Sequence, residues 1–152
     1  MKPIGYWLNR TDRALTLRMD ELLADHDLTR LGWQLLGSAR ESTTDRAVHA
    51  ELAANATPSE LTETIELLLR TGWLTRPAAG HLALTDTGSR CLAEAGTRVA
   101  AFRATATAGV SDQDYRTTVR VLERIVGNLS RAGHQEDGGG VSPRRQQHPE
   151  RS

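Results

Sequence analysis

The chain has 152 residues, with 19 Lys and Arg balanced by 19 Asp and Glu, so its formal net charge is zero. Nucleic-acid-binding proteins usually carry a basic surplus, so any basic patch on this chain must be local. Apolar residues make up 38% and aromatic residues 4% of the chain, a composition that favours packed helices over a β-sandwich. The single cysteine, Cys91, excludes an internal disulfide and a multi-cysteine zinc site.

No apolar stretch approaches the ~20 residues of a membrane span, and Arg10, Asp12 and Arg13 come too early for a secretory signal. We expect a cytoplasmic protein without a membrane partner. The sequence also lacks the G-x-S-x-G, Walker, H-E-x-x-H and C-x-x-C motifs. We therefore expect no enzymatic activity, no cofactor and no metal site.

The first part of the chain predicts three helices. Ile4, Leu8, Leu15 and Met19 recur at helical spacing over residues 4–25. A short helix follows at about residues 29–38, then a polar loop at 40–43 and a third helix at about 44–54.

The next segment predicts a helix followed by a hairpin. Residues 57–60 (TPSE) combine an N-cap threonine, a first-turn proline and a capping-box glutamate, and Gly72 supplies the helix stop. Alternating patterns over residues 73–76 and 81–85 predict two short strands joined by a turn at 77–80.

Two long helices follow. Thr85 caps a helix that extends to about residue 107, and Ser111, with Asp114 as its reciprocal partner, caps a second helix to about residue 130. Their apolar residues step by four and three, which suits helix–helix packing within a chain or between two chains. Residues 131–152 have too few aliphatic residues to offset the entropy of ordering, so we expect a disordered tail.

The order of these elements predicts a mainly α fold with a small β-hairpin wing. Residues 44–71 form a helix-turn-helix, and the hairpin directly after its second helix makes it a winged helix-turn-helix. The second helix of such a motif can lie in a DNA major groove while the hairpin reaches an adjacent groove or the backbone.

Four segments resemble the MarR family of bacterial winged-helix regulators. They are residues 4–8 (IGYWL), 67–74 (LLLRTGWL), 82–88 (LALTDTG) and 111–115 (SDQDY), and the resemblance covers roughly residues 4–130. It implies a single domain over residues 1–130, in which residues 29–88 are the winged helix-turn-helix, flanked by N- and C-terminal dimerisation helices at 1–28 and 89–130.

The resemblance also implies partners. Members are homodimers paired through their first and last helices, and they bind pseudo-palindromic operators on double-stranded DNA. Many release the DNA when a small, often aromatic or phenolic, ligand binds between the dimerisation and DNA-binding regions. The residues expected at the dimer interface are Ile4, Leu8, Tyr115, Val119, Leu122, Val126 and Leu129.

Two features depart from the family. The wing turn at residues 77–80 (PAAG) is short and uncharged where typical members carry arginine, and the second helix of the motif carries Glu60, Glu63 and Glu66. Glutamate can accept a hydrogen bond from cytosine N4, but phosphates repel it. We expect modest affinity for DNA that falls only shallowly with salt.

The candidate site residues fall into two groups. Ser59, Thr62 and Glu63 are candidates to meet bases. The candidates for phosphate contacts are Arg40, Arg46, Arg70 and Arg76.

Trp7, Arg10 and Trp33 are candidate ligand-binding residues, with Arg10 pairing an anionic ligand. Alternatively, Tyr6, Trp7 and Trp33 belong to the core or to the dimer interface. We expect Cys91 to be buried rather than redox-sensing, because a sensor needs an exposed thiol of low pKa.

An alternative function also fits the sequence. The chain would then be a winged-helix protein-interaction or ligand-sensing dimer with weak or lost DNA binding, and its acidic helix face would meet a basic protein partner.

Overall fold

The computed structural model describes residues 1–136, with side chains described as far as residue 131. These residues form six α-helices, three short strands and two single-turn 3-10 helices, Ala24–His26 and Ala39–Glu41. In chain order the α-helices and strands are α1 (Ile4–Leu23), α2 (Arg30–Ser38), β1 (Thr43–Thr44), α3 (Asp45–Leu52), α4 (Pro58–Arg70), β2 (Leu74–Thr75), β3 (His81–Leu84), α5 (Asp86–Ala106) and α6 (Asp112–Glu136). Within these residues, no helix is long and apolar enough to cross a membrane.

Threonine side chains begin four of the helices. Each accepts a hydrogen bond from the backbone N–H three residues further on, which satisfies an amide that the helix itself leaves without a partner. The pairs are Thr29 with Gly32, Thr44 with Ala47, Thr57 with Glu60 and Thr85 with Gly88. The caps predicted at Thr57 and Thr85 are therefore confirmed.

The first of two compact units, Met1–Thr107, contains the core. Leu35 and Leu36 of α2 and Leu61 and Leu68 of α4 are almost fully buried, and α2 contacts both α4 and α5. The apolar row of α5 also lies in this core, since Leu92, Ala95 and Val99 are buried there. This part of the predicted seam therefore packs within one chain.

The wing is a three-stranded antiparallel sheet in the order β1-β3-β2. The predicted hairpin β2–β3 is confirmed, with Leu74 opposite Leu84, but the loop predicted at residues 40–43 includes the start of β1, whose Thr43 lies opposite Leu82. A strand of two residues has no alternating pattern to detect, because only its pairing with β3 defines it. The Asp45 N–H also donates to the Gly80 carbonyl at 3.0 Å, so the wing is joined to the start of α3.

The second compact unit begins at Ala108 and contains α6. No residue of 108–131 is buried. The prediction that a disordered tail begins at residue 131 is wrong for residues 131–136, because α6 continues to Glu136. Low apolar content removes packing but does not stop a helix that is already formed from continuing. The rest of the predicted tail, residues 137–152, lies outside the described residues.

Candidate nucleic-acid interface

The helix-turn-helix is formed by α3 and α4, which are joined by residues 53–57. A full capping box fixes the start of α4, since the Thr57 N–H donates to Glu60 Oε2 at 2.7 Å while the Thr57 hydroxyl oxygen accepts from the Glu60 N–H. The hydrogen bond from the Thr57 backbone lowers the pKa of the Glu60 carboxyl below its usual 4.5. The first turn of α4 is therefore well defined.

The outer face of α4 is polar and exposed. Leu61, Ile65 and Leu68 are buried on the opposite face. The exposed polar side chains are Ser59, Thr62, Glu63, Glu66 and Arg70, and the apolar Leu67 is 46% exposed beside them. The structure thus groups four of the predicted DNA-binding residues on one face of one helix.

Two of these side chains bond within α4. The Ser59 hydroxyl donates to Glu63 Oε1 at 3.0 Å, and the Thr62 hydroxyl donates to the Pro58 carbonyl at 2.9 Å. Both hydroxyl oxygens keep lone pairs that can accept, so these contacts orient the side chains without using all of their hydrogen-bonding capacity.

Arg76, directly after β2, forms ion pairs with two carboxylates. Its Nη1 lies 2.8 Å from Asp45 Oδ2, and its Nη2 lies 3.8 Å from Glu66 Oε1. These ion pairs connect the wing to the start of α3 and to the middle of α4. They also give Glu66 a cationic partner, Arg76, that sequence analysis missed. Asp45 and Arg76 are 31 residues apart, so no local pattern could have indicated the pair.

The other predicted phosphate contacts are exposed on separate elements. Arg46 lies in the first turn of α3, and Arg70 is the last residue of α4. Arg40 instead lines a cleft of about 450 Å³ that Trp33 and Glu51 also line. The structure therefore places Arg40, a predicted phosphate contact, beside Trp33, a predicted ligand residue.

Trp33 lines that cleft, but the other two predicted ligand residues, Trp7 and Arg10, do not. Trp7 is 52% exposed on α1, where it packs edge-on against Tyr6, and Arg10 donates to the Tyr6 hydroxyl at 3.0 Å. Trp33 is half-buried, and the Arg103 guanidinium lies 5.4 Å from its ring centre. Its indole N–H is buried and has no hydrogen-bond partner within the described part of the chain. The exposure of Trp7 contradicts a core position and leaves the dimer interface or a ligand contact open.

Cys91 is half-buried and lines a second cleft, of about 310 Å³, together with His26 and Glu94. Burial, followed by the nearby charge of Glu94, raises the pKa of its thiol above the usual 9.0. Beside this cleft, Arg98 donates a hydrogen bond to the Asp25 carboxylate at 2.8 Å, which lowers the pKa of Asp25. The Cys91 environment is thus the opposite of the one that activates a thiolate.

The predicted dimerisation residues are largely exposed on their own helices. On α1, Ile4 is 51% and Leu8 44% exposed. On α6, the exposed residues are Tyr115, Val119, Val126 and Leu129, and Leu122 is half-buried. Each helix therefore has an apolar row that the described residues of its own compact unit leave largely exposed.

Three solved structures illustrate the fold that this chain shares. The transcriptional regulator PA3341 matches with a TM-score of 0.75 and 24% identity, over 85% of this chain and 99% of that one. CouR from Rhodococcus jostii RHA1, in complex with p-coumaroyl-CoA, matches with a TM-score of 0.72 and 23% identity, over 82% and 91% of the two chains. The reduced form of MarR from E. coli matches with a TM-score of 0.68 and 20% identity, over 82% and 94%.

These likenesses establish that the chain has the winged-helix fold of the MarR regulators. No protein-family profile matches the sequence, and a search of curated proteins gives no significant match.

Proposed function

We propose that this protein is a homodimeric DNA-binding transcriptional regulator, without enzymatic activity, that acts in the cytoplasm. The observation that carries the proposal is the polar, exposed face of α4, which a capping box and a buried leucine face fix within a winged helix-turn-helix. In this geometry α4 enters a major groove and the two copies of α4 lie about one DNA turn (~34 Å) apart on a pseudo-palindromic operator.

Within the proposed complex, the first half of α4 meets the bases. Ser59, Thr62 and Glu63 are the side chains that reach them, and all three are exposed. Arg40, Arg46 and Arg70 bind phosphates. Arg76 can join them only by exchanging its carboxylate partners for a phosphate.

Dimerisation rests on the apolar rows of α1 and α6. Exposed leucine, isoleucine and valine in rows of this kind mark protein–protein contact surfaces when they are contiguous. Ile4 and Leu8 on α1, and the row from Tyr115 to Leu129 on α6, are the residues that we propose to pair with a second copy.

A small aromatic or phenolic effector fits the cleft at Trp33. The half-buried Trp33 lines this cleft and can pack against an aromatic ring, while the exposed Arg40 can pair with an anionic group. The structural neighbour CouR is bound to p-coumaroyl-CoA, which contains a phenolic group. Trp7 and Arg10 stay predicted ligand contacts. Occupation of the cleft, we propose, releases the protein from its operator.

The test is a selection of genome fragments by the purified full-length protein. Enrichment of a few fragments that share a two-fold-related motif is the expected result. An intact dimer that enriches no fragment would contradict the proposal.

A second candidate function is a protein-interaction module with weak or lost DNA binding. The uncharged wing turn and the neutralisation of Arg76 by two carboxylates favour it. Changing Glu63 and Glu66 to Gln separates the two functions. A DNA-binding regulator gains affinity or changes its sequence preference, whereas an interaction module stays without DNA binding and loses affinity for a basic partner.

A further inference from the structure

The three glutamates of α4 have different surroundings. The Glu60 carboxylate accepts hydrogen bonds from the Thr57 N–H at 2.7 Å and the Thr57 hydroxyl at 2.8 Å, so the helix start uses it. The Glu66 carboxylate lies 3.8 Å from Arg76, which also pairs with Asp45, so the wing offsets part of its charge. Glu63 has neither a capping role nor a cationic partner within the described part of the chain.

Glu63 nevertheless has a defined orientation. The Ser59 hydroxyl, one helical turn earlier on the same exposed face, donates to its Oε1 at 3.0 Å. This hydrogen bond restricts the carboxylate and leaves Oε2 without a hydrogen-bond partner among the described residues. A neutral hydroxyl orients the carboxylate but does not cancel its charge.

An uncompensated carboxylate on a groove-facing helix weakens binding to every DNA sequence, because phosphates repel it. It favours binding only where a base offers a donor. Guanine and thymine present only acceptors to the major groove, and adenine places its N7 acceptor beside its N6 donor. Cytosine presents the N4 amino group as a donor without an acceptor of its own, so it suits a carboxylate best.

We propose that Ser59 and Glu63 form a cytosine-reading pair, in which Glu63 Oε2 accepts from cytosine N4 and Ser59 holds the carboxylate in place. The inference rests on the proposed function, since it names the base that α4 reads. It predicts that each operator half-site contains one position at which cytosine is strongly preferred.

The experiment is a selection from a duplex library with randomised half-sites, using the full-length wild-type protein and two variants. The wild type should prefer cytosine at one position per half-site by about tenfold, within the range of single mismatch penalties. Glu63→Gln should shift that position to adenine, because glutamine pairs with adenine N6 and N7. Ser59→Ala should reduce the cytosine preference severalfold without moving it.

Glu60→Gln is the matched control. It removes the same charge from the same helix one turn earlier, and glutamine still completes a capping box. This variant should bind all sequences more tightly and keep the cytosine preference. All variants change exposed side chains, and their circular dichroism and thermal unfolding should match the wild type within a few degrees.

Two results would overturn the cytosine reader while leaving the proposed function in place. One is a selected motif without a cytosine preference, and the other is an identical motif for wild type and Glu63→Gln. A wild-type protein that selects no sequence at all would overturn the proposed function itself, and this inference with it.

Discussion

Arg76 is predicted from the sequence to contact a phosphate, but in the structure it pairs with two carboxylates. The energy of its ion pair with Asp45 can be measured directly. Both side chains are about one third exposed, at 35% and 36%, and Nη1 lies 2.8 Å from Asp45 Oδ2. The strength of such a partly exposed pair should fall between that of an exposed ion pair and that of a buried hydrogen bond to a charged group. We therefore expect a coupling energy of about 1 kcal/mol. The longer contact to Glu66, at 3.8 Å, should contribute less.

The assay is a double-mutant cycle of Arg76→Ala and Asp45→Asn, read from the free energy of unfolding in urea. Asparagine keeps the shape of the aspartate, and the cycle cancels the effect of Asp45 on the start of α3. The coupling should shrink at about 1 M salt, where the screening length is only about 3 Å. A coupling energy close to zero at low salt would refute the conclusion that the Arg76–Asp45 ion pair stabilises the attachment of the wing to α3.

Arg76→Ala also tests whether Arg76 contacts a DNA phosphate. Because the Arg76 charge is already paired, Arg76→Ala should leave the salt dependence of DNA affinity unchanged. A slope of log affinity against log salt that becomes shallower by about 0.9 would show instead that Arg76 neutralises a phosphate.

Three further predictions concern stability and reactivity. Gly88→Ala should destabilise the protein by roughly 1–3 kcal/mol in urea, because the added Cβ would overlap the Trp73 carbonyl. Gly96→Ala on the same helix should be stabilising, because its Cβ would meet no neighbour among the described residues. Cys91 should react with iodoacetamide at pH 7.5 more slowly than in the unfolded chain, because burial raises its pKa and keeps the thiol protonated. Alkylation as fast as in the unfolded chain would contradict the raised pKa. The capping box holds the pKa of Glu60 below 4.5 in the folded state, so its contribution to stability is present above pH 4.5 and is lost as the pH falls through the lowered value. Glu60→Gln should reduce this loss in acid titrations of unfolding.

The parts of this fold that short sequence patterns determine could be predicted. The capping box at Thr57 and the left-handed Gly72, at φ +73°, depend on residues within one turn of each other. Strand β1 and the ion pair between Arg76 and Glu66 could not be predicted, because both depend on segments that only the folded chain brings together.

Sequence-specific DNA binding is the central claim, and competition binding tests it most directly. A labelled fragment from the genome selection is bound by the full-length protein in about 0.15 M salt, then displaced by the same fragment or by random DNA. The selected fragment should compete at least about a thousandfold better, the lower end of the range for specific binders, with two chains bound per duplex. Equal competition by the two DNAs would contradict it.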